Sequence, residues 1–150
     1  MLKEYIGLKS EKVLNRVEGR EVKKFVEAIG DPHPLFHDEK TGEESIYQAN
    51  IAPPTFPAVF DYGEIDGLRL PDTGLIHGEQ SFHYNRPLVV GDEILCYTEV
   101  EDYYERKGAS GLMGFLILRR FGEDSIGQTV FSSKAIVIIT ETVREEMIVR

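Results

Sequence analysis

Asp31, His33, His37 and Asp38 fall within one short run, Gly30-Asp31-Pro32-His33-Pro34-Leu35-Phe36-His37-Asp38. Its two prolines fix φ and restrict the residues before them, so the polar side chains are held in set directions. A second stiffened stretch, Ile51-Ala52-Pro53-Pro54-Thr55-Phe56-Pro57, comes soon after. A carboxylate and an imidazole on a rigid loop can move a proton to or from a carbonyl compound. Free N–H groups at a helix start can hold an oxygen that gains negative charge. Acid/base chemistry on a carbonyl substrate is the first reading of this region.

Each residue also has a plainer role. An Asp before Pro commonly organises a turn. His33, between prolines, suits a hydrogen-bond anchor for the loop. His37, beside Asp38, suits a surface turn. Two His and a carboxylate form a known iron or zinc set. Here they are bunched together and no further ligand stands at motif spacing, so no metal is expected. His77 and His83 read as strand packing or dimer contacts, and Cys96 as an inert strand residue. The chain has no Ser-His-Asp arrangement, phosphate loop or dinucleotide motif, and no cofactor is expected.

The elements that must position these residues can be read from periodicity. Residues 20–29 place Val22, Phe25, Val26 and Ile29 at helical spacing, with Gly30 where a C-cap glycine belongs. Residues 31–54 read as loop, with a short helical turn around Glu39 to Tyr47. Thr55 to Leu68 reads as a second, largely buried helix, capped by Thr55 with Pro57 in its first turn. Beyond Gly74 the pattern changes. Residues 75–86, 93–104, 112–121 and 128–140 are rich in β-branched and aromatic residues and are separated by glycine-containing turns. A short early strand fits residues 8–17. Short connections imply antiparallel pairing. The layout predicted is α+β, an antiparallel sheet of about five strands wrapped around the helix beginning near Thr55.

The whole chain, residues 1–150, is expected to form one domain, since this length can bury a real core. Cys96 is the single cysteine, so no disulfide forms within the chain, which fits a reducing compartment. No apolar run is long enough to span a bilayer, and the first residues lack a leader pattern. A cytoplasmic protein without membrane association is expected. Acidic residues number 26 against 17 basic, a net charge of −9, which argues against a nucleic-acid partner. Arg119-Arg120 and Arg106-Lys107 are paired basic sites and read as solvated strand ends. An acidic ligand must find a local basic patch.

The amphipathic helix ending in Gly30-Asp31, the following Pro34-Leu35 with a nearby His, and the Ile51 to Pro57 segment resemble one family. So does Phe82-His83-Tyr84-Asn85-Arg86-Pro87-Leu88-Val89-Val90-Gly91-Asp92. This is the MaoC-like hot-dog family of (R)-specific enoyl-CoA hydratases and 3-hydroxyacyl dehydratases, in its N-terminal dehydratase branch. The resemblance implies a hot-dog fold and reversible hydration of a trans-2-enoyl thioester of coenzyme A or acyl carrier protein, in fatty acid metabolism. It implies a dimer, either with itself or with a second MaoC-like chain. It makes Asp31 and His37 the catalytic pair and sets the amides of Thr55 and Phe56 near the thioester oxygen. Phe36, Phe56 and Phe60 would line the acyl pocket, with His33 and Pro54 beside the substrate.

The chain also departs from the catalytic pattern of Asp, any residue, Asn, Pro, any residue, His. Asp31 and Pro34 match, but His33 stands in the Asn place and Phe36 in the His place, with His37 one residue late. Pro53-Pro54 replaces a His-Gly pair whose glycine amide is a donor, and proline has no N–H. These departures leave a second expectation open. The chain would then be a non-catalytic acyl-binding or structural subunit that pairs with a catalytic MaoC-like partner.

Overall fold

The computed structural model describes residues 2–149, except the side chain of Val149. Five antiparallel strands form one sheet in the order β1-β3-β4-β5-β2. They are β1 (Val13–Arg16), β2 (Leu75–Tyr84), β3 (Glu93–Gly108), β4 (Gly111–Glu123) and β5 (Thr129–Ile139). The four later strands lie where alternation and turn residues put them. The early strand is shorter than expected, and β3 runs on into a tight turn at Ala109-Ser110 before β4. In β3, Ile94, Cys96, Thr98 and Val100 point inward and are buried. In β4, Leu116, Ile117 and Leu118 are all buried, as the unbroken apolar run of a central strand requires. Cys96 is fully buried and its thiol is pushed up to about 12 by desolvation, which leaves it inert.

Helix α1 (Gly19–Ile29) follows its apolar spacing and ends at Gly30 in the left-handed region, φ 71°. Its Val22 and Val26 pack with Ile94, Cys96 and Phe131 of the sheet. Two short helices come next, α2 (Pro34–His37) and α3 (Glu39–Glu44), where mostly loop was expected. Proline at the first position and His33 as N-cap explain α2. Asp38 caps α3.

The expected helix from Thr55 to Leu68 does not form. One 3-10 turn, Phe56–Val59, occupies its start, and the chain beyond runs irregularly to β2. Hydrogen bonds from elsewhere in the fold explain why. Asn15 clamps Asp61, donating to its carbonyl at 2.7 Å and accepting from its amide at 2.9 Å. The Ser10 hydroxyl donates to the Tyr62 carbonyl at 2.6 Å, and the Tyr62 hydroxyl to the Pro57 carbonyl at 2.6 Å. Gly63 sits at φ 74°, with its amide on the Asp61 carboxylate. The apolar residues meant for a helix face are still buried. Phe56, Phe60 and Tyr62 join the cluster beneath α1, and Ile65 joins a second one with Leu2, Val100, Leu116, Leu118 and Ile139. The sheet therefore curls around α1 and an irregular segment, not around a helix at Thr55. A helix not anticipated, α4 (Glu141–Val149), closes the second cluster with Val143 and Met147. Arg144 ties it to Glu105 of β3 at 2.8 Å.

Phe131 is fully buried and meets Phe60 and Tyr84 at centroid distances of 6.0 and 5.9 Å. Phe131→Ala is expected to cost about 3–5 kcal/mol of stability, read by urea unfolding. A loss below about 1 kcal/mol would mean that the first cluster does not depend on this ring.

Candidate active site and acyl pocket

The Gly30–Asp38 loop is held by its own polar groups. The Asp31 carboxylate accepts from the His33 amide at 3.3 Å, and His33 Nδ1 accepts from the Leu35 amide at 3.1 Å. His33 is therefore the loop anchor that its setting between prolines suggests. His37 Nε2 lies 3.0 Å from the Pro32 carbonyl, to which it donates. Asn50 fastens the far side, donating to the carbonyls of Leu35 at 3.0 Å and Asp38 at 2.8 Å.

The short helix α2 sends Leu35 and Phe36 to one side and His37 to the other. Asp31 and His37 line one cavity of about 380 Å³, with Lys23, Glu27 and Pro32. His33, Phe36 and Pro54 line another, of about 450 Å³, whose walls are mainly apolar: Leu35, Ile51, Ala52 and Leu88. The late position of His37 thus does not part it from Asp31, because the segment is helical and not extended.

The remaining expected site residues lie elsewhere. Phe56 is buried in the core, edge-on to Phe25 and Phe60 at 5.5 Å each. Phe60 faces a separate groove. Phe36, Phe56 and Phe60 therefore do not line a common pocket, since Phe56 is spent covering the sheet. Thr55 is exposed and lines neither cavity. The Phe56 amide, expected near a thioester oxygen, is already given to the Pro53 carbonyl at 2.9 Å. Among the described residues, no three of His, Cys, Asp or Glu come together as a metal-holding group.

Two supports of the apolar cavity escaped the sequence reading. The half-buried Tyr84 hydroxyl donates to the Pro54 carbonyl at 2.5 Å, and burial pushes its phenol well above the usual range. Its place on the inward parity of β2 was the available signal. Asp92 accepts from Arg86 at 2.7 Å and from the Val89 amide at 2.9 Å. That pair is why an Arg-Pro and a Gly-Asp bracket this turn.

A family model described as the FAS1-like dehydratase domain region matches residues 4–133. The chain belongs to this family. Among curated relatives of this chain, a UPF0336 protein of Saccharopolyspora erythraea is 31% identical over 134 residues, 85% of this chain and 83% of the relative. A UPF0336 protein of Thermobifida fusca is 38% identical over 87 residues, 54% of this chain. The matched part spans 57% of that relative, so the chain covers little more than half of its length.

Solved structures share the fold. A chain of the HadBC (3R-hydroxyacyl-ACP dehydratase) complex of Mycobacterium tuberculosis superposes with TM-score 0.79 at 21% identity, covering 92% of this chain and 99% of that one. A MaoC-like dehydratase of Rhodospirillum rubrum gives 0.67 at 22%, covering 90% and 92%. A chain of the ChsH1-ChsH2 complex of M. tuberculosis gives 0.73 at 19%, covering 89% and 84%. The fold is the hot-dog that these chains share.

Asp38 ties the Gly30–Asp38 loop to α3. Its carboxylate accepts from the Thr41 hydroxyl at 2.6 Å and amide at 3.0 Å, and these bonds hold it below the usual carboxylate range. A carboxyl with a lowered folded value stabilises the protein above its unfolded value and stops doing so as pH falls through the folded one. Asp38→Ala should therefore melt below the wild type at pH 7, with the two melting temperatures converging as pH falls below the usual carboxylate range. An equal gap at pH 7 and below that range would assign the effect to something other than this carboxylate.

Proposed function

We propose that the chain is the acyl-binding subunit of a two-chain 3-hydroxyacyl thioester dehydratase, working in either direction with a trans-2-enoyl thioester of coenzyme A or acyl carrier protein. The observation that carries this is the fate of the amides at the expected oxyanion site. Pro53 and Pro54 have no N–H, and Phe56 gives its own to Pro53. Beyond them the chain makes a single 3-10 turn over Phe56–Val59, too short to present the summed dipole of a helix. Of the two amides expected there, only that of Thr55 is left for an enolate-like oxygen, where a pair of donors is needed.

Two further features support the reading. The apolar cavity of about 450 Å³ beside Phe36 and Leu88 suits a hydrocarbon chain. Strand β2 pairs only with β5, so one edge of Leu75–Tyr84 carries unpaired backbone among the described residues. An open edge of this length favours pairing with a second chain. The HadBC and ChsH1-ChsH2 assemblies, both complexes, are built on the same fold. The partner would then be a second MaoC-like chain carrying Asp, any residue, Asn, Pro, any residue, His.

One observation favours a self-sufficient hydro-lyase instead, namely that Asp31 and His37 share a cavity. His37 commits Nε2 to Pro32 and keeps Nδ1 for proton transfer. Crotonyl-CoA and decenoyl-CoA hydration, with the mass in solution recorded, separates the two readings. The isolated chain is expected to turn over neither substrate above background. With the partner it should do so, and Asp31→Asn should change the rate by less than about threefold. Turnover by the chain alone, abolished by Asp31→Asn, would establish the second reading.

A further inference from the structure

Along the concave face of the sheet, Arg120 of β4 is flanked by Thr98 of β3 and Ser133 of β5. This polar row separates the two apolar clusters, with Cys96 and Phe131 on one side and Val100 and Leu118 on the other. It overturns the reading of Arg119-Arg120 as solvated strand ends. Arg119 faces the opposite side and pairs with Glu101 at 3.5 Å. Arg120 is half-buried, with its guanidinium carbon 4.9 Å from the centroid of the Tyr62 ring.

Three arginines keep Nε buried without a hydrogen-bond partner: Arg119, Arg120 and Arg144. Arg119 and Arg144 are paired through another nitrogen, with Glu101 and Glu105. Arg120 has no ion pair among the described residues. A guanidinium carries five donors and no acceptor, and withdrawing it from water without an acceptor is costly. Arg120 lines a groove of about 470 Å³ whose other walls include Phe60, Ile65, Leu68, Leu70 and Leu118. Asp61, Glu64 and Asp72 also line it, and none lies within ion-pairing distance of Arg120. Glu64 is taken by Arg69 at 3.6 Å.

We propose that this groove takes the distal part of an acyl chain bearing an uncharged oxygen, a hydroxyl or carbonyl, remote from the thioester, and that Arg120 donates to that oxygen. Apolar walls suit the hydrocarbon, and an oxygen in the groove gives the unpaired Arg120 guanidinium an acceptor. The groove's three carboxylates outnumber its two arginines, Arg69 and Arg120, and in a chain of net charge −9 they disfavour an anionic end. The acyl identity of the ligand rests on the function proposed above. The preference for oxygen rests on Arg120 alone.

The test is calorimetric binding of three N-acetylcysteamine thioesters to the full chain: decanoyl, 10-hydroxydecanoyl, and the counterpart ending in a carboxylate. The hydroxylated ligand should bind about tenfold more tightly than the plain one. Arg120→Met should bring the two within about twofold, with the plain ligand unchanged. Arg120→Lys, which keeps the charge and loses the fork, should retain part of the preference and decides the matter if the Met variant does not fold. Equal binding of the plain and hydroxylated ligands by the wild type overturns the proposal and leaves the acyl-binding reading standing. So does a preference undiminished in both variants, or tightest binding of the carboxylate. If no thioester binds, both fall.

Discussion

The concave face of a sheet must be covered, and here an irregular segment does much of the covering. A helix satisfies its own backbone; an irregular segment does not, and each buried N–H or C=O left alone costs about 1–3 kcal/mol. The chain from Asn50 to Gly63 meets this demand from outside. The Ala52 amide donates to the Leu88 carbonyl at 2.8 Å, and Ile51 bridges to Val89. Prolines lack an N–H, so their carbonyls are the groups that need partners. Tyr84 and Tyr62 serve those of Pro54 and Pro57. Asn15 and Ser10 serve Asp61 and Tyr62.

This solution has a chemical consequence. A helix beginning at Thr55 would leave its first amides free and aimed along its axis. The irregular cover spends the Phe56 amide internally and places two residues without an N–H, Pro53 and Pro54, just ahead of Thr55. What the segment keeps is shape. Ala52 and Pro54 wall an apolar cavity on one side. Phe60 and Tyr62 wall the Arg120 groove on the other. The same packing thus leaves a hollow on each side of the segment.

The strands were legible because two-residue alternation and glycine turns are local signals, as Ile94, Cys96 and Val100 show. Helix α1 was legible for the same reason, down to its glycine cap. The segment at Thr55 misled because Phe56, Val59, Phe60 and Tyr62 are apolar in a pattern that a helix or a folded loop can equally bury. Only Asn15 and Ser10, far off in sequence, decide between them, and no local pattern carries that information. The paired arginines were misread for a related reason. Parity sends Arg119 outward and Arg120 inward, but reading it requires the register of β4 against β3. At the site loop, the polar residues were identified from their types and spacing. Their sorting into two cavities was not, because it turns on the four-residue helix α2.

Pairing and acyl binding are geometrically linked on the proposed reading. Strand β2 ends at Tyr84, and the residues that come after it, Asn85 to Leu88, form one wall of the apolar cavity. A strand added along the free edge of β2 would therefore end beside that wall. Tyr84 belongs to both features, since it lies on the edge strand and fixes Pro54 through its hydroxyl. A partner that orders this edge also orders Pro54 and the chain leading to Phe56. On that reading, the binding of a hydrocarbon chain and the supply of a proton-transfer dyad meet at one junction.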